Sequence, residues 1–95
     1  MVGWLMVKDD QLSVTGEASI YASSQEARRH FCIQCGTGLF YSNDANLPGL
    51  VDIQSATLDD PDEAPAEVHI QTADRISWME NAHELPQFEG FPPQD

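Results

Sequence analysis

The chain has 95 residues, of which 16 are Asp or Glu and only 4 are Lys or Arg, so its formal net charge is −12. This length allows one domain with a thin hydrophobic core, of the kind that often depends on a metal, a disulfide or a partner. The negative charge disfavours nucleic acid and anionic membrane surfaces as partners.

Short apolar segments separated by turn residues predict a mainly β domain. The predicted strand segments, in chain order, are residues 2–7, 12–14, 19–22, 29–33, 39–41, 50–53 and 68–70. The first is apolar throughout and is expected to be buried on both faces. A helix signal lies at residues 74–80, where Asp74 is the candidate N-cap and Ile76 and Met79 would face the core. We expect small antiparallel sheets with at most one short helix.

The rest of the chain predicts loops and an extended tail. Residues 59–67 are acidic and contain two prolines, which is typical of a solvated turn. The tail, residues 85–93, should be extended with Phe88 and Phe91 packed on the domain. Residues 2–7 are apolar but too short for a membrane span, and no positively charged n-region precedes them. These features favour a cytoplasmic protein.

Cys32 and Cys35 are the two cysteines of the chain, and their C-x-x-C spacing is followed by Gly36. Two thiolates at this spacing can bind one zinc ion, and a glycine-containing reversal between strands is typical of a zinc knuckle. A redox pair would need a helix N-terminus to lower the thiol pKa, although Arg28 and Arg29 supply positive charge nearby. Zinc, redox and inert thiols remain the three alternatives.

A tetrahedral zinc site needs four ligands, and the histidines do not supply the other two in a recognisable pattern. His30 shares a strand face with Cys32, His69 lies on a predicted strand, and His83 lies in a polar turn. No two of them have ligand spacing. A lone histidine is more often an ordinary hydrogen-bonded residue than a ligand.

Residues 28–39, with the sequence RRHFCIQCGTGL, resemble the second zinc knuckle of the glutathione-dependent formaldehyde-activating enzyme family, which includes centromere protein V. The similarity continues through residues 51–53 and the T-L-D-D-P run at residues 57–61. It extends to residues 69–70, Trp78 and residues 85–92, and upstream to residues 2–5, 16–17 and 20–21. Residues 1–95 therefore resemble the C-terminal two-thirds of one such domain.

The resemblance implies a zinc-anchored fold of antiparallel sheets, called a β-tent. It also implies that Cys32 and Cys35 are half of a structural zinc site, whose other half is an early C-x-C pair. A second zinc would be held by a C-H-C-x-x-C motif. Both motifs would precede Met1, as expected for a start assigned at an internal methionine or for a shortened paralogue.

Two functions follow from the resemblance. The first is a carbon–sulfur lyase that uses zinc and acts on thiol–aldehyde adducts such as those of glutathione and formaldehyde. In that case Arg28 and Arg29 would bind the carboxylates of the anionic thiol, although pairing with surface acids is the alternative. The second is a non-catalytic zinc-binding or interaction module completed by another chain. A two-fold dimer sharing one zinc would complete the site, and an empty half-site in a monomer is the alternative.

Overall fold

A five-stranded antiparallel sheet organises the protein, whose computed structural model describes residues 1–93. The strands, in chain order, are β1 (Trp4–Lys8), β2 (Ser19–Tyr21), β3 (Ala27–Phe31), β4 (Gly38–Asn43) and β5 (Leu50–Gln54). Their order across the sheet is β1-β5-β4-β3-β2. The helical elements in residues 1–93 are short 3-10 turns. The predicted mainly β class is therefore confirmed, with one sheet in the described chain.

Three hairpins and one crossing connection produce this topology. β2, β3, β4 and β5 are joined in sequence by short turns, as antiparallel neighbours allow. β1 pairs with β5 and so lies at the edge opposite β2, which forces residues 9–18 to cross the sheet. This crossover segment places Leu12 and Val14 over Phe40 and Val51, around a cavity of about 300 Å³. The predicted strand at residues 12–14 is wrong, because these residues cross the sheet instead of pairing within it.

The strand register separates the side chains onto two faces of the sheet. The crossover face carries mostly apolar residues, namely Leu5, Val7, Ile20, His30, Phe40, Val51 and Ile53. The open face carries aromatic, apolar and charged residues, namely Trp4, Met6, Tyr21, Arg29, Tyr41 and Asp52. The crossover segment covers the first face.

β1 is an edge strand with one exposed face, and not the fully buried strand that its apolar sequence predicts. Leu5 and Val7 are half-buried on the crossover face, while Trp4 and Met6 are 37% and 49% exposed on the open face. The reason is that β1 pairs on one side only and its open face has no covering layer among the described residues. Trp4 and Leu5 therefore lie on opposite faces of the sheet, because neighbouring residues of a strand point to opposite sides.

The core of the protein is thin. Among the described residues, only Ala27 and Asn43 are buried, and no large side chain is fully enclosed. The radius of gyration is 16.0 Å, whereas a compact chain of 100 residues has a value of about 13 Å. The difference reflects the C-terminal third of the chain, which extends away from the sheet and leaves most of its side chains exposed.

The predictions for the C-terminal third are largely wrong. Residues 68–70 form no strand, and Val68 and Ile70 are 75% and 72% exposed, because a strand requires a partner edge and this segment has none. Phe88 and Phe91 are 54% and 97% exposed instead of packed on the domain. In place of a helix at residues 74–80, the chain forms 3-10 turns at Thr72–Asp74 and Ser77–Glu84.

The 3-10 turn at Ser77–Glu84 also lacks the features expected of the predicted helix. Asp74 ends the preceding turn and is not the N-cap, a position taken by Ile76 without a side-chain hydrogen bond. Ile76 is 63% exposed, and only Met79 is half-buried as predicted. The backbone is non-helical at Asn81, which interrupts the turn. Without a packing surface for its apolar face, a segment this short gains too little to form a regular α-helix.

Candidate metal centre and the adjacent groove

Cys32 and Cys35 lie together in the turn that joins β3 to β4. This cysteine turn, residues 32–37, is closed by the Cys32 amide donating to the Thr37 carbonyl at 2.9 Å and by the Gly36 amide donating to the Cys32 carbonyl at 2.7 Å. Gly36 has a φ of +78°, a left-handed conformation that glycine adopts without steric strain. The sequence C-x-x-C-G thus places both free thiols on one tight reversal at the end of the sheet.

Thr37 polarises the Cys35 thiol. The Thr37 hydroxyl lies 3.0 Å from the Cys35 sulfur, and this hydrogen bond is the main cause that lowers the pKa of Cys35 from its ordinary value of 9.0. The Thr37 amide and the Cys32 thiol contribute further hydrogen bonds in the same direction. Hydrogen bonds to the charged form favour it, so the turn stabilises a thiolate at the exposed Cys35.

Substituting Thr37 with valine should therefore raise the pKa of Cys35 and slow its alkylation at neutral pH in the reduced, metal-free protein. The thiolate is the reacting species, and valine keeps the shape of the side chain without its hydroxyl. Mass spectrometry of the alkylated protein over a range of pH measures this rate. Thr37→Ser, which keeps the hydroxyl, should retain the wild-type profile, and an unchanged rate in Thr37→Val would contradict the assignment.

The other candidate ligands lie elsewhere. Within residues 1–93 there is no group of three or more His, Cys, Asp or Glu side chains placed to hold a metal. His30 lies on the crossover face, where its ring meets the Phe40 ring edge-on with centroids 6.0 Å apart. His83 lies in the C-terminal third, with Nε2 3.8 Å from Glu84 Oε1. The described residues thus offer soft sulfur donors suited to zinc, but two of the four that a tetrahedral site needs.

Arg28 and Arg29 are neighbours in sequence but lie on opposite faces of the sheet. The Arg28 guanidinium donates to the backbone carbonyls of Ser24 and Gln25, both at 3.2 Å, and of Ala27 at 2.8 Å. It therefore stabilises the turn before β3. The Arg29 guanidinium carbon instead lies 5.2 Å from the centre of the Tyr41 ring on the open face, in cation–π contact.

A groove of about 380 Å³ opens beside the cysteine turn and takes in the open-face residues Trp4, Tyr21 and Arg29. Its lining is mostly apolar or aromatic and includes no carboxylate; the residues are Val2, Trp4, Tyr21, Arg29, His30, Phe31, Gly36, Gly38, Phe40 and Gln54. Arg29 is the cationic side chain of this lining, and Gly36 connects the groove to the cysteine turn. The groove can therefore accept a small ligand that combines an apolar part with an anionic group.

Asp52 is the acid of the open face, opposite Met6 on β1 and Tyr41 on β4 in the sheet register. Partial burial raises the pKa of this carboxyl from its ordinary value of 3.8. The folded state therefore binds the proton more tightly than the unfolded state. The Asp52 carboxyl thus lowers the free energy of unfolding once the pH rises above its ordinary pKa of 3.8.

Replacing Asp52 with asparagine should increase the free energy of unfolding at pH 7. It should have little effect near pH 3, where the Asp52 carboxyl of the wild type is largely protonated in both the folded and the unfolded state. Urea unfolding at the two pH values measures the difference. Asp10→Asn removes the same charge from an exposed turn and is the control. An equal gain at both pH values would show that burial of the charge is not the cause.

The comparisons with known proteins identify the family. The family model described as glutathione-dependent formaldehyde-activating enzyme matches residues 1–74, which include the whole sheet and the cysteine turn. The chain belongs to this family. The resemblance seen in the sequence is confirmed, while the similar residues beyond position 74 lie outside the matched range. The comparisons found no match among curated proteins or solved structures.

Other features of this family member were not apparent from its sequence. The sequence predicts no functional or supporting role for Thr37, Tyr41 or Asn43, although a hydroxyl two positions after Cys35 is a usable signal for Thr37. The contacts of Tyr41 with Arg29 and Trp4 depend on strand register. The hydrogen bonds of Asn43 reach only residues 41, 45 and 46, so an asparagine at the start of a turn is a local signal for them. No helix in residues 1–93 has the length and apolar character to cross a lipid bilayer.

Proposed function

We propose that this chain binds zinc through Cys32 and Cys35 and contributes to carbon–sulfur lyase chemistry on small thiol–aldehyde adducts. The observation that carries the proposal is the pairing of two free thiols on one turn beside a groove that contains Arg29. The family match supports the substrate class, since its description names glutathione and formaldehyde. The free thiols are also consistent with a reducing compartment such as the cytoplasm.

The residues of the groove account for recognition of such an adduct. Arg29 would orient a carboxylate of the anionic thiol, and its stacking on Tyr41 holds the guanidinium at the groove wall. The aromatic and apolar walls formed by Trp4, Tyr21 and Phe31 would contact the apolar part of the adduct. Addition of a thiol to an aldehyde forms one carbon–sulfur bond and transfers the thiol proton to the carbonyl oxygen, so the reaction needs no redox partner. Arg28, bound to backbone carbonyls, has a structural role in this proposal.

Zinc would supply a cross-link at the end of the sheet, and its shell would need two further ligands beyond Cys32 and Cys35. The described residues do not complete a four-ligand zinc site, so zinc has no catalytic step in this proposal. This ligand count favours a second candidate function. In it, the chain is a non-catalytic zinc-binding module whose metal is completed by another chain.

Arg29→Gln should weaken binding of S-hydroxymethylglutathione about tenfold, because it removes a charged hydrogen-bond donor from an open groove. Isothermal titration of the zinc-loaded protein measures the affinity. Arg28→Gln removes the same charge one residue away and should leave the affinity unchanged while lowering the thermal midpoint. Equal affinities for Arg29→Gln and the wild type would contradict the recognition role.

Turnover separates the two candidate functions. Formaldehyde release from, or addition to, glutathione by the zinc-loaded chain supports the lyase, provided that Arg29→Gln slows it. Binding of zinc without turnover supports the non-catalytic module. Absence of zinc binding at any stoichiometry contradicts both.

A further inference from the structure

Gln54 is a polar residue of the groove that recognition by Arg29 leaves unused. It ends β5 opposite Trp4 in the sheet register, which puts its side chain on the open face. Gln54 is half-buried and lines the groove. Outside the sheet ladder it makes one hydrogen bond within residues 1–93, through its backbone carbonyl, which accepts from the Thr57 hydroxyl at 2.6 Å. The carboxamide therefore keeps its donors and its acceptor for a ligand.

Gly38 makes room for the Gln54 carboxamide. A Cβ atom at Gly38 would lie 2.5 Å from Gln54 Oε1 and 3.6 Å from its Cδ. The first distance is well below that at which non-bonded heavy atoms pack. Because glycine has no Cβ, the end of the Gln54 side chain can occupy this space beside the cysteine turn. The position of the carboxamide in the groove thus depends on the absence of a side chain at position 38.

The strand register orders the polar groups along the groove. Gly38 pairs with Phe31, which directly precedes the cysteine turn, so the Gln54 carboxamide lies at that end of the groove. Arg29 is two residues further from the turn along β3, a separation of about 7 Å. Two residues of an extended peptide cover about the same length. A short peptide can therefore place its backbone at Gln54 and a carboxylate at Arg29 at the same time.

The carboxamide of a glutamine complements the backbone of a peptide. It carries one carbonyl acceptor and an NH₂ group with two donors. In an extended peptide the N–H and C=O of one residue point to the same side, as they do between antiparallel strands. A single carboxamide can accept from that N–H and donate to that C=O. A thiol that carries a carboxylate but no peptide bond cannot form this pair of hydrogen bonds.

We propose that Gln54 selects thiols that contain a peptide bond, by binding the N–H and C=O of one residue while Arg29 binds a carboxylate. The inference rests on the proposed function and adds the residue that distinguishes a peptide thiol such as glutathione from a simple thiol acid. A site built to hydrogen-bond its ligand disfavours an analogue that leaves the groups of the site unpaired. Gly38 is a positioning residue for the Gln54 carboxamide.

Titration of the 95-residue chain with two blocked thiols tests the assignment. S-methylglutathione carries peptide bonds and carboxylates, whereas methylthiosuccinate carries carboxylates and no amide. Neither has a free thiol that could bind a metal or form a disulfide. Gln54→Leu should weaken S-methylglutathione about fivefold to tenfold and leave methylthiosuccinate unchanged, because it removes neutral hydrogen bonds that only the peptide makes. Arg29→Gln should weaken both. Isothermal titration measures the affinities.

Gly38→Ala is an independent test that keeps Gln54 in place. Its Cβ should displace the carboxamide, which can rotate away at little cost to folding, so S-methylglutathione should weaken as in Gln54→Leu. Gln87→Leu, the same substitution at an exposed position, is the matched control and should change neither affinity. If Gln54→Leu weakens both ligands equally or neither, the role of Gln54 is overturned while recognition by Arg29 stands. If the wild type binds neither ligand, the proposed function fails as well.

Discussion

Replacing Cys32 with serine is expected to abolish the zinc binding proposed above and, with it, any dependence of folding stability on the metal. Serine has a hydroxyl that does not ionise at neutral pH. The turn would then keep one thiolate of the four ligands that a tetrahedral zinc site needs. Structural zinc sites contribute apparent binding free energies of about 10–16 kcal/mol when their coordination is complete. In a protein with only two buried residues among those described, that contribution is large compared with what the core supplies.

Thermal unfolding with and without a chelator measures this effect. The wild-type midpoint should fall on chelation, whereas the Cys32→Ser midpoint should not change. Gln34→Ser introduces the same residue into the same exposed turn while keeping both thiols, so it should behave as the wild type. The backbone hydrogen bonds of the turn do not involve the Cys32 side chain, so a misfolded variant is not expected. A midpoint of Cys32→Ser that still falls on chelation would show that the metal binds elsewhere.

Replacing Asn43 with alanine is expected to lower the free energy of unfolding by about 2–3 kcal/mol. Asn43 is 6% exposed and ends β4. Its Oδ1 accepts from the amides of Ala45 and Asn46 at 3.1 and 3.0 Å, and its Nδ2 donates to the Tyr41 hydroxyl at 3.2 Å. Alanine would leave three polar groups without their partner, two of them in the loop that leads to β5.

For a domain of this size, that loss corresponds to a midpoint of thermal unfolding that is lower by about 10–20 °C. Two substitutions separate the causes. Asn46→Ala shortens an exposed side chain of the same loop and should change the midpoint little. Asn43→Asp keeps the acceptor for the two loop amides but loses the donor to Tyr41, so its midpoint should lie between those of the wild type and Asn43→Ala. An Asn43→Ala midpoint within a degree or two of the wild type would contradict the assigned role.

The Asn43 network also connects the loop to the groove. Tyr41, which receives its hydrogen bond, lies beside Trp4 with ring centroids 6.3 Å apart and beneath the Arg29 guanidinium. A change at Asn43 should therefore loosen the groove wall as well as the loop. Asn43, at the end of β4, is in this way connected through Tyr41 to the Arg29 guanidinium on the open face.

The sequence by itself indicated the five strands as short segments bounded by turn residues, a pattern set by local chemistry. The pattern is not sufficient, because β3 carries Arg28, Arg29 and His30, and similar segments at residues 12–14 and 68–70 form no strand. The sequence also placed Cys32 and Cys35 on one reversal, because the spacing and Gly36 permit a tight turn between two strands. The family followed from the same residues. These features depend on neighbours along the chain, which a sequence shows directly.

The tertiary structure decided everything that depends on which segments meet. Arg28 and Arg29 read alike in sequence, and only the sheet register places Arg29 over Tyr41 and Arg28 on the turn carbonyls. Residues 68–70 have a strand pattern, but a strand forms only where an edge is available to pair with it, and this segment meets none. The exposure of Trp4 likewise depends on what covers the sheet. Long-range pairing and layering are set by the whole chain, and no local pattern encodes them.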